Sequence, residues 1–510
     1  MIDKILNARR ILAVGVLMGG ILLSLISPKN IMAQDSPDQF KTTTIDSSTQ
    51  IDLEQAIQIA LANNSEIKQA LLSVKDADEQ VLSAWGEVMP EIATNMQYTR
   101  NVEIPVNFIP AKVFNPNAPA DKLVPVQFGT DNNWSGGLTV SQTIFRGEAL
   151  IGISSSAVYK LVQSESYRAT MQQVVTQTRL AYYRVLIAEE QVSLQKAAID
   201  RLAHNLKDNR ARYKAGLLDE YDVLRLEVQL SNERPKLTEA RYNLKNAYRK
   251  LKLILDFPLN VNFSVKGDLK SFDVNDSGIQ DMANRSIKEV DQWIDFQRDT
   301  SKSSMKKALG FRGDLRVFDA RLQLKDREIL ATKSRYFPTI SANYSLMWNA
   351  AEPGRPDFFG TANQRARSQA VALNFSFPLF QGLKRNAALQ RVNIQKKNLL
   401  VQQHYKEQQA KDEIISAKES VKQALETADA REKAVQQAQR GYEIALSRLD
   451  NGVGSQLDVT NAELQYRQAE VNYAQLIYNY LSAKAQYDQA IGKVPFVDQN
   501  DNYESTVEYK

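Results

Sequence analysis

The feature that most constrains this chain is a weak but ordered tandem duplication. Arg212-Tyr-Lys-Ala-Gly216, with Asp222, Val223 and Glu227 after it, returns as Arg448-Leu-Asp-Asn-Gly452 with Asp458, Val459 and Glu463, at an offset of 236. Leu138-Thr-Val-Ser-Gln-Thr-Ile-Phe-Arg-Gly147 returns as Leu373-Asn-Phe-Ser-Phe-Pro-Leu-Phe-Gln-Gly382, at an offset of 235. Ala60–Ile67 and Met89-Pro-Glu-Ile92 return as Ala308–Leu315 and Phe337-Pro-Thr-Ile340, both at 248. Each match is weak alone. Their shared order and near-constant offsets make coincidence a poor account. Such a chain folds as two copies of one unit.

Each copy has the same expected plan. A helical stretch (about 52–88; about 305–335) ends at a Pro break. Two strands joined by a loop follow. A very long helix comes next (about 147–214; about 382–450). A Gly-centred turn leads to a return helix (about 219–256; about 455–491). In the first long helix, Val174, Ala181, Ala188 and Leu202 alternate with Val185, Val192, Ile199 and Leu206. In the second, Ile414, Val421, Ala428, Val435, Tyr442 and Leu449 alternate with Ala417, Ala424, Ala438 and Ala445. Heptad spacing predicts paired helices, and the Ala-rich seams allow close approach. Gln195 and Arg431 interrupt the seams. A helix of about 68 residues is about 100 Å long, which predicts a rod or tube. The helices alone are equally consistent with an ordinary dimeric coiled coil.

The strands alternate. Trp134, Leu138, Val140 and Ile144 oppose Thr139, Ser141 and Thr143. Ile340, Ala342, Tyr344, Leu346 and Trp348 oppose Thr339, Ser341, Asn343 and Ser345. Val371, Leu373, Phe375, Phe377 and Leu379 oppose Ala372, Asn374 and Ser376. Outer-membrane barrels have this pattern, with aromatic girdles that Trp134, Tyr344 and Trp348 suit. A half-buried sheet on a soluble core gives the same alternation. Strand count separates the two within a membrane. Four strands per chain cannot close a barrel, and open edges are not tolerated in lipid. Several chains are then required, and three give twelve strands. The segments at about 105–131 and 349–368 become the external loops.

Residues 1–33 read as a secretory signal: Lys4, Arg9 and Arg10, an apolar run from Ile11 to Ile26, and Ala33 before a cut. A retained anchor is the other reading, although the run is shorter than the roughly 20 residues a bilayer needs. Residues 34–50 form a flexible lead, 51–257 the first repeat, 258–304 an inter-repeat segment, 305–492 the second repeat and 493–510 a polar tail. The net charge is +5, and the signal region accounts for +3 of it. Nothing calls for nucleic acid. The chain has no cysteine and two histidines, His204 and His404. No disulfide, thiolate metal site, catalytic constellation or phosphate loop is expected, and no cofactor. Glu189-Glu190 reads as a solvated helix face.

The duplicated turns stand out. Gly216 and Gly452 suit the left-handed close of a helix. Asp219 and Ser455 suit the following N-caps, with Asp222 and Asp458 completing an acidic capping box. These residues suffice as plain helix hairpins. As tips of a tube they are also where it narrows and where partners dock.

On these residues the chain resembles the TolC-like outer-membrane efflux proteins. The resemblance rests on the duplicated Arg-x3-Gly-x5-Asp-Val tips, Phe337-Pro-Thr-Ile340, Pro378-Leu-Phe-Gln-Gly382 and Ala181-Tyr-Tyr-Arg-Val-Leu-Ile-Ala188. It covers roughly residues 51–492. It implies a mixed α/β membrane protein: a homotrimer with a twelve-stranded β-barrel continuous with a periplasmic α-helical coiled-coil barrel. Residues 258–304 would lie in an equatorial belt. The expected partners are outer-membrane lipid, a periplasmic adaptor (membrane fusion) protein, and an inner-membrane RND or ABC pump. The implied function is a passive outer-membrane channel of a tripartite efflux or type I secretion system. Docking falls on Arg212, Gly216, Leu217 and Leu218, and on Arg448, Gly452, Val453, Gly454 and Ser455. The periplasmic gate falls on Asp222, Asp458 and Asn461. Asp458 matches the first acidic gate position. Asn461 stands uncharged at the second, and Gly454 stands where the family has an arginine. A periplasmic coiled-coil adaptor or envelope structural protein is the competing reading; it leaves the four strands unexplained.

Overall fold

The computed structural model describes residues 50–497, except 120, 270–271, 273, 277–278, 282, 289–309 and 355–364. The expected signal peptide, nearly all of the lead and residues 498–510 lie outside the described residues. The chain divides into two compact units. The smaller joins residues 1–49 to Asn260–Phe263, and only the last four are described. The larger unit carries every element named below.

The duplicated plan is visible in its helices. In the first repeat these are α1 (Leu53–Asn63), α2 (Ser65–Gly86), α3 (Gly147–Lys214) and α4 (Glu220–Ile254). In the second they are α5 (Gly313–Ser334), α6 (Lys384–Asp450) and α7 (Gln456–Ala490). The single helix expected over about 52–88 breaks at Asn64. Its ψ of 131° leaves the helical region, and its side chain accepts from the N–H groups of Glu66 and Ile67 to start α2. A polar side chain that competes with the backbone is enough to divide a helix.

α3 runs 68 residues and α6 67 without a break. Their seams are apolar and buried: Val174, Val185, Leu202 and Leu206 in α3, and Ile414, Val421, Ala428 and Leu449 in α6. Near the turns, Leu202 and Leu206 pack on Val223 and Leu226 of α4. Tyr442, Ala445 and Leu449 pack on Val459 of α7. These contacts make two antiparallel hairpins, α3–α4 and α6–α7, which meet along α3 and α7.

Four antiparallel strands form one sheet in the order β2 (Glu91–Arg100), β5 (Asn132–Phe145), β7 (Thr339–Glu352), β8 (Arg365–Ser376). The β5–β7 pair joins the repeats, with Val140 opposite Tyr344. Register puts Ile92, Val140, Tyr344 and Val371 in one row across the sheet, and Ala342 and Leu373 in the next. That face is apolar, and the other carries Asn95, Thr139, Ser345 and Asn374. A bulge between Thr143 and Phe145 displaces Ile144 from the alternation and brings Phe145 opposite Ile340. The apolar face is uncovered: Met96 is 88% exposed and Val371 80%. Among the described residues nothing pairs with the outer edge of β2 or β8.

Three expectations change. The 105–131 loop folds into its own hairpin, β3 (Val106–Pro110) with β4 (Leu123–Gln127), because its alternating Val, Ile and Phe residues support a ladder. β7 continues to Glu352, so strand takes up the start of the 349–368 loop. Residues 493–497 belong to the packed body and not to the polar tail: Val494 and Val497 pack with Ile57 and Val175. A short parallel pair, β1 (Gln50–Ile51) with β6 (Ser264–Val265), ties the start of the first repeat to the inter-repeat segment.

Candidate functional site

The two hairpin tips close by the same backbone geometry. Gly216 and Gly452 both have φ of 75°. The Leu217 N–H donates to the Arg212 carbonyl, and the Val453 N–H to the Arg448 carbonyl, each at 3.0 Å. This is the six-residue closure of a helix C-terminus, which needs a left-handed residue that glycine supplies without a Cβ penalty. The apolar residue after each glycine usually packs back on its helix. Here Leu217 is 73% exposed and Val453 76%. Each tip therefore presents one free aliphatic side chain.

The tips differ in how the return helix starts. Ser455 and Asp458 form the expected box: the Asp458 N–H donates to Ser455 Oγ at 3.2 Å, and the Ser455 N–H donates to Asp458 Oδ2 at 3.2 Å. The Ser455 hydroxyl also donates to Asp458 Oδ2 at 2.7 Å. The Ser455 hydrogen bonds, aided by nearby Arg448, hold the Asp458 carboxyl below its ordinary pKa. In the first tip the box is absent. Asp219 makes no side-chain cap, and the Asp222 N–H keeps only the bond to the Asp219 carbonyl at 3.2 Å, a bond the second tip makes as well. Carboxylates at both box positions, Asp219 and Asp222, repel each other, whereas Ser455 presents a neutral hydroxyl to Asp458. Leu218 is half-buried, whereas its counterpart Gly454 lies so close to the helix end that a Cβ would fall 2.9 Å from Arg448 Cβ and 3.0 Å from the Leu449 nitrogen. Asn461 is exposed one helical turn beyond Asp458, and Asp222 is half-buried.

Arg212 leaves its own tip. It forms an ion pair with Asp450 and donates to the Leu449 carbonyl at 3.3 Å, both on the second hairpin. Asn209 donates to Gln456 Oε1 at 3.0 Å beside it. The tips of one chain are thus tied together, while Arg448 remains exposed.

Further along lies a charge cluster that sequence reasoning did not identify. Arg467 of α7 meets Glu233 of α4 at 2.8 Å, and Arg201 of α3 lies 3.5 Å from Glu463 and 3.3 Å from Glu470. Gln195, the seam exception, donates to Glu233 Oε2 at 2.6 Å, and Lys236 does so to Oε1 at 3.0 Å. Burial pushes the Glu463 carboxyl up, offset in part by Arg467 and Arg201. Burial also raises Glu233, but hydrogen bonds from Arg467, Gln195 and Lys236 outweigh it and hold that carboxyl low. Glu463 belongs to the duplicated motif, yet its counterpart Glu227 forms a surface pair with Arg210. The polar residue at seam position 195 was the one available clue. Glu189 and Glu190 are not a solvated face either. Glu190 is buried, and Glu189 accepts from the Tyr248 hydroxyl at 2.6 Å.

In the sheet, Trp134 and Trp348 share the apolar face near the loop end, and Tyr98 joins them with its ring 5.0 Å from that of Trp134. Tyr344 sits mid-strand on the same face, so the three expected aromatics do not lie at one level. No described helix is long and apolar enough to cross a membrane. Among the described residues no group of His, Cys, Asp and Glu could hold a metal.

The chain is similar in sequence and fold to known proteins. The chain is 22% identical over 202 residues to outer membrane protein TolC of Salmonella enteritidis, spanning 40% of this chain and only 37% of that protein. It is 20% identical over 449 residues to outer membrane protein TolC of Escherichia coli K12, spanning 86% of this chain and 82% of the other. Its fold matches the crystal structure of the Campylobacter jejuni CmeC outer membrane channel with a TM-score of 0.68 at 18% identity, covering 86% and 85% of the two chains. The model of the outer membrane efflux protein family matches residues 56–255 and 305–493. The chain belongs to the outer membrane efflux protein family.

Proposed function

We propose that three copies of this chain form a homotrimeric outer-membrane exit duct. Their sheets join edge to edge into a twelve-stranded barrel, and their hairpins form a tube in the periplasm. The uncovered apolar face of a sheet with two open edges carries this reading. In lipid, each unpaired backbone group costs several kcal/mol. The edges of β2 and β8 need a partner, and another copy supplies it. Residues 51–257 and 305–492 act as the two repeats, with 258–304 as a belt between them. The polar face of the sheet lines an aqueous lumen, and Trp134 and Trp348 mark one lipid interface.

Conduction is passive, and the energy comes from an inner-membrane pump. An adaptor docks on the tips, where Leu217 and Val453 offer apolar contacts beside Gly216, Leu218, Gly452, Gly454 and Ser455. Asp222, Asp458 and Asn461 stand at the constriction, where carboxylates from three chains attract cations. The test is membrane fractionation followed by sizing in detergent and conductance in planar bilayers. An outer-membrane trimer that conducts is expected. A monomer or dimer in the soluble fraction ends the proposal.

A further inference from the structure

α7 separates its charges from its amides. The helix has six charged residues. Four of them, Glu463, Arg467, Glu470 and Asp488, belong to ion pairs that join α7 to α3 or α4, and the fifth, Lys484, pairs with Asp488 within α7. The sixth, Asp458, is exposed at the tip. From Asp458 the spacing of three and four continues through Asn461, Gln465, Gln468, Asn472, Gln475 and Asn479. That spacing keeps them on one face. None is buried in the chain, whereas Val459, Ala474 and Ile477 between them are. The amides link along the helix: Gln468 donates to Asn472 at 3.0 Å and Gln475 to Asn479 at 2.7 Å.

Beside the upper stripe, α6 and α7 bound an open groove of about 440 Å³. Ser420, Gln423 and Thr427 form its α6 wall, and Arg431 is its one charged residue. The Ser482 hydroxyl on the α7 wall is buried without a hydrogen-bond partner. Amides and hydroxyls both donate and accept. Such a surface stays wet and holds neither cations nor anions as fixed charges would.

We propose that this stripe lines the path of solutes through the duct and makes that stretch neutral. Charge discrimination is then set at Asp458, with Arg431 as the one fixed charge in the groove above. The wall suits cargo that forms hydrogen bonds through hydroxyl or amide groups, whatever its net charge. This rests on the duct reading proposed above.

The absence of cysteine makes the test direct. Gln468→Cys and Asn479→Cys are each introduced into the full-length chain, and the trimer is reconstituted in planar bilayers. A charged methanethiosulfonate reagent is expected to reduce single-channel conductance in steps, one per labelled protomer. Gln468→Glu and Gln468→Lys are expected to shift the reversal potential in opposite directions in a salt gradient. Trimers that label fully at both cysteines without a change in conductance overturn the inference, because the stripe then faces outward. Folded trimers that refuse the label also overturn it, because the stripe is then covered by another chain. A wild-type protein that forms no channel refutes the duct reading instead, so the two failures are distinct.

Discussion

Arg467 on α7 lies 2.8 Å from Glu233 on α4, and their side chains are only 12% and 4% exposed. The pair joins the two hairpins through their interior, not across their surface. Breaking a buried pair leaves one charge uncompensated, at a cost of about 3–5 kcal/mol. In Arg467→Ala, Glu233 keeps Lys236 and Gln195, so the loss by urea unfolding is expected at or below the low end of that range. The exposed Arg210–Glu227 pair is worth about 0.2–1 kcal/mol, so Arg210→Ala is expected to cost little. Equal effects for the two substitutions would refute this ranking.

Two carboxyls of the same cluster should respond to pH with opposite sign. Burial raises Glu463 in the folded state. Its contribution to stability is complete below the ordinary carboxylate value and is lost as pH rises through the raised one. Glu463→Gln is therefore expected to stabilise the protein at pH 7, and the gain should fade on acidification. Glu233 is buried too, but its hydrogen bonds hold it low. Its contribution is complete above the ordinary value and is lost as pH falls through the lowered one. Glu233→Gln is expected to destabilise at pH 7 and to approach wild type in acid. Urea midpoints at pH 7 and about pH 4 check the sign for Glu463→Gln, and at pH 7 and about pH 3 or below for Glu233→Gln.

The three tip glycines should not be equivalent. Gly216 and Gly452 share φ of 75° and have open space at the Cβ position. Alanine there pays only the left-handed penalty, roughly 1–2 kcal/mol, and the two variants should agree in thermal melts. Gly454→Ala meets Arg448 and Leu449 backbone within about 3 Å, so the tip must shift. It should lower the melting temperature or, if the tip yields, change adaptor crosslinking more than Gly216→Ala does.

Asp458 has a local role in the capping box and a proposed role at the constriction. Asp458→Asn keeps an acceptor for the Ser455 N–H and removes the charge. Reduced block by divalent cations with only a small loss in melting temperature is the expected result. Ser455→Ala should do the reverse, costing about 1 kcal/mol of helix capping and leaving cation sensitivity intact. A charge-independent response in Asp458→Asn would remove it from the gate.

Leu217→Asp and Val453→Asp probe docking. Both side chains are largely exposed, so folding and conductance should persist while site-specific crosslinking to an adaptor is lost. Retained crosslinking in both variants would take the docking surface elsewhere.

The hairpins were legible in the sequence because their cause is local. Heptad seams such as Val185–Val192 and Ile414–Val421 follow from side-chain spacing, and the tip turns follow from Gly216 and Gly452. The alternation of β7 and β8 is equally local. The Asn64 break was missed because one polar side chain overrode a continuous helical pattern. The β3–β4 hairpin was missed because its prolines read as loop. Glu189 and Glu190 looked like solvated acids, and Glu463 showed only its place in the duplicated motif, since a carboxylate's burial depends on what another helix places opposite it.

The sequence by itself determined the repeat, the long helices, the tip glycines and the two-faced strands, all properties of residues close along the chain. Only the tertiary structure decided that Arg212 reaches Asp450, that Arg467 reaches Glu233, and that β5 pairs with β7 to join the repeats. The two ion pairs join residues more than 200 positions apart in sequence, and the β5–β7 partners stand nearly as far apart or farther. No spacing rule acts over such separations, and the packing of α3 against α7 is what brings the charges together.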